Sequence, residues 1–301
     1  MHARGSRIRG TVRNMEGQPA LPEEIEIVSV PHIGPVTDWS GVLGGVETVI
    51  HLAARVHTMK ETERDPLSAY REVNAAGTER LARSAADAGV RRIVCVSTIK
   101  VNGPGSPMPY RETDRPDPRS PYEISKWEAE QAVLEVASRG ALEAVIVRPP
   151  LVYGPGVRAN FLRLLKWVDR GYPLPLAGVH NLRSLVSLDN IVDFLSLCTN
   201  DPRAAGETFL ISDGEDISTA GLIRKIATIM GRPARLFSVP PSVLRMAAAS
   251  LGLKDAGERL LGSLRADVRR AASLLDWIPP VSLTEGLAKT VAWYRRQNGM
   301  N

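Results

Sequence analysis

The sequence predicts a doubly wound α/β domain built on a parallel sheet, followed by a smaller mixed α/β domain. Two observations predict it. Short runs rich in β-branched residues alternate with helical runs in the first half, which is typical of strand–helix–strand units. Several of these runs are apolar almost without a break, as expected for strands covered on both faces. Elements shorten from about residue 155, so we place the first domain at 1–154 and the second mainly at 155–301, with some of its segments returning to the first sheet.

The strands of the first half follow one another in order. They are RIRGTVR (7–13), EIEIVSV (24–30), VETVIHLAA (46–54), VRRIVCVST (90–98) and EAVIVRPP (143–150). The last is ended by two prolines, which cannot continue a ladder of hydrogen bonds. A long amphipathic helix is predicted over 66–90, where Gly89 stops it.

The second half predicts a different succession of elements. ANFLRLLKWVDRG is helical, RSLVSLDNIVDFLSLC joins a short strand to a helix, and ETFLISD is a strand. Three further helices are predicted at STAGLIRKIATIMG, ADVRRAASLLDW and LTEGLAKTVAWYRRQ. A ligand is expected in the crevice between the two domains.

Composition sets broad limits on function. Of the 301 residues, 44% are hydrophobic and 24% charged, as in globular proteins, and charges interrupt every apolar stretch. The basic first residues lack the apolar run of a secretory signal, so we expect a cytoplasmic protein without membrane insertion. Cys95 and Cys198 predict neither a disulfide nor a metal site. The net charge of +5 is scattered, which argues against nucleic acid as a partner. The same net charge is compatible with a small anionic substrate.

The stretch SPYEISKWEAE carries the first chemical signal. Tyr122 and Lys126 are four residues apart at the start of a predicted helix and therefore share one face. Alone, such a pair is usually part of a surface helix. Here the strand RRIVCVST ends in Ser97 and Thr98, at the sheet edge where doubly wound folds bind ligands. A hydroxyl, a phenol and an ammonium group would then converge on one crevice.

These residues resemble the short-chain dehydrogenase/reductase superfamily, in particular its extended branch, the NAD-dependent epimerase/dehydratase family. Seven motifs carry the resemblance in the order and at the intervals that this family shows. They are VIHLAAR, VNAAGTERL, VSTIKVNG, PYEISKWEAE, VIVRPPLVYGPG, ANFLRLL and RSLVSLDNIVD. The resemblance implies a Rossmann-like first domain that binds NAD or NADP and a second domain that binds a nucleotide sugar. The sequence is most similar to the group of UDP-glucose 4-epimerases and UDP-4-keto-hexosamine reductases of surface polysaccharide synthesis.

The resemblance assigns catalysis to Thr98, Tyr122 and Lys126. A free tyrosine titrates near pH ~10, so it needs a positive charge to act as a base at neutral pH. Lys126 would supply that charge and hold the nicotinamide ribose. Thr98 would hydrogen-bond the sugar oxygen while Tyr122 moves the proton, and hydride passes between nicotinamide and sugar.

The family also implies which residues contact the cofactor and the substrate. Asn74, a poor helix former inside an apolar helix, would brace the active-site strand, although an exposed helical Asn is the alternative. The implied cofactor-binding residues are Arg13, Leu52, Ala53, Ala54, Arg55, Asn74, Ser97, Tyr122, Lys126, Pro149, Pro150, Leu151 and Val152. The implied substrate-binding residues are His57, Lys100, Asn160, Arg183 and Arg259, of which Asn160 and Arg183 would hold the diphosphate.

The sequence departs from the family pattern in three places. The opening strand and its G-x-x-G-x-x-G turn are absent, so RIRGTVR and VIHLAA are expected to face a gap, and dinucleotide affinity to fall severely. His32 stands where relatives carry an acidic residue that reads adenine. Arg13 stands where an acidic residue would select NAD, which favours NADP or stacking on adenine.

These departures leave several hypotheses open. The chain is an epimerase or a 4-keto reductase, or it is a truncated, non-catalytic relative that binds a nucleotide sugar or a partner subunit. Alternatively, the true start lies upstream and Met1 is an internal start, which would restore the enzyme. A homodimer is expected through the helices at 66–89 and 120–139, as in relatives.

Overall fold

A computed structural model describes residues 5–15, 22–56, 65–252 and 254–299. The chain divides into two compact units. The first comprises residues 1–101, 118–147 and 195–208, and the second comprises 102–117, 148–194 and 209–301. The change of unit in the middle of the chain falls at Arg148, whereas the sequence suggests a boundary after residue 154.

The first unit is built on parallel strands, as the alternating apolar runs predict. A two-stranded sheet pairs β1 (Ile8–Val12) with β2 (Ile25–Ser29). A second sheet has the strand order β3 (Thr48–His51), β4 (Arg92–Val96), β5 (Glu143–Arg148), β8 (Thr208–Leu210), and β8 starts at the last residue of this unit. β4 and β5 are almost wholly buried, which explains why their sequences are apolar on both faces.

Among the described residues, no ladder of backbone hydrogen bonds joins the two sheets, although they cover one hydrophobic core. That core takes Val28 and Val30 from and after β2, Val49 from β3, and Ile93 and Ile146 from β4 and β5. β1 and β3 each have a strand partner on one side only among the described residues. In the described residues β1 and β3 are therefore not paired with each other, in line with the expected gap.

Two helical segments of the first unit carry site residues. The helix predicted over 66–90 has three parts: α2 (Pro66–Tyr70), a π-helical segment (Arg71–Ala76) and α3 (Gly77–Asp87). Asp65 caps its start through Ser68 N, and Gly89, with φ +75°, follows its end. α4 (Pro121–Ala137) has the predicted start, and the short α1 (Ser40–Leu43) precedes β3.

The second unit has its own core and a small parallel sheet. β6 (Leu151–Tyr153) pairs with β7 (Leu185–Ser187), and the Tyr153 ring stacks on Phe161. α6 (Leu188–Asn200) begins in this unit and ends in the first. The other helices are α5 (Ala159–Asp169), α7 (Thr219–Ile229), α8 (Pro241–Ser250), α9 (Lys254–Leu261), α10 (Arg269–Leu275) and α11 (Leu283–Gln297). Within the described ranges, no helix is long and apolar enough to span a membrane.

Candidate active site

The carboxyl end of β4 brings two hydroxyl groups to the edge of the sheet. Ser97 and Thr98 directly follow this strand, and both are buried. Ser97 is fixed by its backbone N–H, which donates to Val147 O at 2.7 Å. Its Oγ is buried without a hydrogen-bond partner among the described residues. Because a buried hydroxyl normally has a partner, this Oγ is available to a ligand or a water at the strand end.

α4 begins beside this strand end. Ser120 and Glu123 form a capping box at its amino terminus, and Pro121 occupies the first turn, where it needs no N–H partner. Lys126 is buried, at 2% exposure, and its Nζ donates to Val96 O at 2.7 Å. The ammonium group therefore ties α4 to the residue that precedes Ser97. The four-residue spacing of Tyr122 and Lys126 lies in a helix, as predicted.

The environment of Tyr122 disfavours its phenolate. Burial raises the pKa of Tyr122 to about 12, and the charge of Glu123 and the neighbouring Tyr70 add to this. The Tyr70 and Tyr122 rings meet edge to face, with centroids 6.2 Å apart. The phenol is therefore protonated at neutral pH, and the activating role assigned to Lys126 stays a prediction.

Asn74 joins three parts of the first unit through a buried network. Its amide exchanges two hydrogen bonds with the backbone of Arg55, at 2.7 and 3.0 Å, and donates to Ser125 Oγ at 3.0 Å. Ser125 Oγ in turn donates to Tyr122 O at 2.8 Å. Asn74 is only 1% exposed, so the alternative of an exposed helical Asn is wrong. Its bonds join the loop after β3 to α4, and the predicted bracing of the active-site strand stays a prediction. Asn74 lies in the π-helical segment, a feature often found at functional sites.

Sequence reasoning missed two members of this network. Ser125 follows Tyr122 by one turn, and Tyr70 precedes Asn74 by one turn. The Arg55 guanidinium lies 5.4 Å from the centroid of the Tyr70 ring, a cation–π distance. The spacing from already identified residues is the signal that could have found both.

The loop after β3 offers an exposed apolar surface. Leu52 is 65% exposed and Val56 60%, while Ala53 is also exposed and Ala54 and Arg55 are half-buried. Small and apolar residues at the carboxyl end of a parallel strand suit a flat aromatic ligand. These residues lie at the end of β3, which pairs with β4, the strand that ends just before Ser97. Their contact with a dinucleotide stays a prediction. The described part of the first unit has no glycine-rich strand-to-helix turn for the pyrophosphate.

The proline segment differs from its prediction. β5 ends at Arg148, and Pro149 and Pro150 are buried after it. The strand predicted at 143–150 thus ends two residues early. Leu151 and Val152, which are predicted to contact the cofactor, begin the separate strand β6. Two prolines break the ladder, and pairing with β7 starts a new one.

The predicted diphosphate residues lie in the second unit. Asn160 is exposed in the first turn of α5 and follows Ala159, whose φ of +51° is unusual for a residue with a side chain. The Arg183 Nη1 donates to Gly262 O at 3.2 Å, and burial lowers the pKa of Arg183. Arg259 belongs to α9, which ends just before Gly262, but its side chain lies outside the described residues.

The remaining predicted residues are dispersed. Arg13 is exposed in the turn after β1, and His57 lies outside the described residues. His32 is exposed, with Nε2 3.5 Å from Glu72 Oε1. Lys100, predicted to contact substrate, has its Nζ 3.2 Å from Glu123 Oε1. No cluster of His, Cys, Asp and Glu suited to a metal ion occurs in the described ranges.

Known proteins are similar to this chain in sequence and in fold. Residues 4–212 match the NAD dependent epimerase/dehydratase family. A UDP-glucose 4-epimerase of Vibrio cholerae is 40% identical over 275 residues, covering 90% of this chain and 84% of the relative. A UDP-glucose 4-epimerase of Mycolicibacterium smegmatis is 31% identical over 276 residues, covering 87% and 80%. The solved structure of MoeE5 in complex with UDP-glucuronic acid and NAD is 28% identical, with a TM-score of 0.77 and coverage of 98% and 93%.

Proposed function

The chain belongs to the NAD dependent epimerase/dehydratase family, and from this premise we propose that it catalyses NAD(P)-dependent oxidoreduction at C4 of a UDP-hexose or UDP-N-acetylhexosamine. One observation carries the proposal: the chain is similar to the Vibrio cholerae UDP-glucose 4-epimerase over nine-tenths of its length, and Thr98, Tyr122 and Lys126 occur together within that similarity. The product would serve surface polysaccharide synthesis.

In the proposed reaction, three side chains of the first unit handle the sugar hydroxyl. Thr98 orients the oxygen at C4 by a hydrogen bond, and Tyr122 removes its proton and later returns it. The dinucleotide, when bound, supplies the acceptor and donor of the hydride. Because the pKa of Tyr122 is about 12 in the chain alone, the base requires additional positive charge near the phenol. Lys126, one turn further along the same helix face, is the candidate for this charge.

Two versions of the chemistry remain, and one alternative lies outside catalysis. A 4-epimerase returns the hydride to the same sugar, whereas a 4-keto reductase consumes a reduced cofactor in each turnover. The alternative is a non-catalytic protein that binds a nucleotide sugar. It draws on the separate sheets of the first unit, which leave β1 and β3 with unpaired edges in the described residues.

The test incubates the 301-residue chain with UDP-glucose and, separately, UDP-N-acetylglucosamine, each with NAD, and follows C4 epimerisation by anomeric-proton NMR. A parallel reaction offers a UDP-4-keto sugar with NADPH or NADH and follows loss of the reduced cofactor. We expect turnover in one of these reactions, and a loss of about 10²- to 10⁴-fold in Tyr122→Phe. Binding of UDP-glucose by calorimetry without any turnover would support the non-catalytic alternative. If the chain neither binds UDP-glucose nor turns over any of these substrates, the proposal is overturned.

We also propose a homodimer that packs the helices at 66–89 and 120–139 of two copies. A surface groove of about 450 Å³ lies between these helices, with Ala75, Ala76 and Ala132 in its lining. Small residues on neighbouring helices allow a second helix pair to approach closely. Sedimentation should give a dimer for the wild type and a monomer for Ala132→Arg, and a dimeric Ala132→Arg variant would reject this interface.

A further inference from the structure

An ion pair connects the two elements that carry the catalytic hydroxyl groups. Lys100 Nζ lies 3.2 Å from Glu123 Oε1, with side-chain exposures of 26% and 7%. Lys100 belongs to the 3₁₀ turn (Ile99–Val101) after β4, and its backbone N–H donates to Thr98 Oγ1 at 3.3 Å. Glu123 directly follows Tyr122 in the first turn of α4. The pair therefore joins the segment of Thr98 to the segment of Tyr122.

Glu123 is held in place independently of Lys100. Its Oε2 accepts hydrogen bonds from the backbone N–H groups of Arg119 and Ser120, at 2.8 and 3.0 Å. The bond from the Ser120 N–H is half of the capping box, which a glutamine can complete as well as a glutamate. The carboxylate is thus a fixed point at the start of α4. The ion pair with Glu123 holds Lys100, and with it the turn after β4, against the start of α4.

The same pair acts on the electrostatics of Tyr122. Burial disfavours the Glu123 carboxylate, but the bonds to Arg119 and Ser120 and the charge of Lys100 prevail and lower the pKa of Glu123. The fixed negative charge lies one residue from the phenol, where it raises the pKa of Tyr122. Tyr70 faces the phenol from α2, with Arg55 over its ring, and Lys126 lies one turn further along α4. Lys100 is the cation directly paired with the carboxylate that opposes the phenolate.

We propose that Lys100 is a positioning residue of the active site: it fixes Thr98 relative to Tyr122 through Glu123 and compensates the carboxylate charge beside the phenol. This inference rests on the proposed function, because it assigns the roles of Thr98 and Tyr122 from it. It replaces the sequence-based expectation that Lys100 contacts the sugar. A residue acting in this way affects the chemical step and not the affinity for the sugar.

The first test compares Lys100→Met with the charge-conserving Lys100→Arg. For Lys100→Met we expect kcat at pH 7 to fall about tenfold, the effect of raising the pKa of a catalytic phenol by about 1. The acidic limb of kcat against pH should move to higher pH, while KM changes less than about twofold. Lys100→Arg should restore most of kcat. A rise in KM with unchanged kcat would overturn the proposal in favour of a sugar contact.

The second test does not require turnover, so it remains informative if the proposed function fails. Fluorotyrosine replaces tyrosine throughout the chain, which lowers phenol pKa values into a measurable range, and fluorine NMR follows each resonance against pH. The Tyr122 signal is the one absent from Tyr122→Phe. We expect its midpoint to rise in Lys100→Met and to fall in Glu123→Gln, which keeps the capping box but removes the charge. Unchanged midpoints in both variants would refute the electrostatic role.

Discussion

At the residue scale, the buried His51 makes the stability of the fold depend on pH. It lies at the end of β3, and its Nε2 is 2.9 Å from Thr78 Oγ1. Burial, and then the charge of Lys126, lower its pKa from 6.5 to about 3. The unfolded chain takes up a proton below pH 6.5, whereas the folded chain does not until about pH 3. His51 therefore favours folding above pH 6.5, and this contribution is lost as the pH falls.

We expect the free energy of unfolding to drop by on the order of 5 kcal/mol between pH 6.5 and 3 from this histidine. Urea unfolding measured at several pH values in that window checks it. His51→Gln keeps a hydrogen-bonding group for Thr78 but cannot titrate, so its stability should vary less with pH. Parallel curves for the two proteins would contradict the prediction.

Two buried polar residues of the site predict opposite effects on stability. Asn74→Ala removes the three bonds that Asn74 makes with the Arg55 backbone and Ser125 Oγ, so we expect a loss of about 2–3 kcal/mol. Ser97→Ala removes a hydroxyl that has no partner in the described residues, so stability should stay within about 0.5 kcal/mol or rise. Urea midpoints of the two variants decide the matter. A large loss for Ser97→Ala would mean that its hydroxyl is already bonded without a ligand.

At the element scale, strands with a regular apolar pattern are predicted well from the sequence, whereas elements that form through contacts with distant residues are predicted poorly. Apolar runs identify β3 to β5, and β4 and β5 are covered on both faces, which leaves little choice of residue. β1 and β2 are only half-buried and are indicated by their β-branched residues. The π-helical segment has no such signature, since REVNAA fits an α-helix equally well. β6 is missed because three residues after two prolines become a strand only by pairing with β7. The Lys100–Glu123 pair is missed because the residues are 23 positions apart.

The separation of the two sheets predicts unequal protection of their backbone amides. A two-stranded sheet is marginally stable, whereas β4 and β5 are central strands of a buried sheet. We expect amides of Ile8–Val12 and Ile25–Ser29 to exchange at least about 100-fold faster than those of Arg92–Val96 and Glu143–Arg148. Hydrogen exchange followed by mass spectrometry measures this. Equal protection in both sheets would show that the first unit opens as one cooperative body despite the break.

At the scale of the whole molecule, the predicted catalytic residues and the predicted diphosphate residues belong to different units. The first carries Ser97, Thr98, Tyr122 and Lys126, and the second carries Asn160 and Arg183. The fold class and the family follow from motifs spread over both units. The sequence does not predict which contacts hold each residue in its unit. Arg183, for example, donates to Gly262 O, 79 residues later in the chain.

This division predicts that the 301-residue chain responds more strongly to UDP than to NAD. The predicted diphosphate residues, Asn160 in the first turn of α5 and Arg183, belong to the second unit, and a helix amino terminus and a guanidinium group both suit a diphosphate. The first unit contains most of the predicted cofactor-binding residues, but its described part has no glycine-rich turn for a pyrophosphate. At a concentration of about 100 Kd, a ligand stabilises its protein by roughly 2.7 kcal/mol. We expect UDP to raise Tm by a few degrees in scanning fluorimetry, and NAD at equal concentration to raise it less.

Two variants connect that difference to the second unit. Arg183→Lys keeps the charge but loses the planar fork that binds phosphate in two places, so the shift caused by UDP should shrink. Asn160→Ala, at an exposed position, should reduce the shift without altering the Tm of the free protein. An NAD shift as large as that of UDP would mean that the first unit holds the pyrophosphate by residues outside the described ranges. A UDP shift that is unchanged in both variants would remove the diphosphate from Arg183 and Asn160.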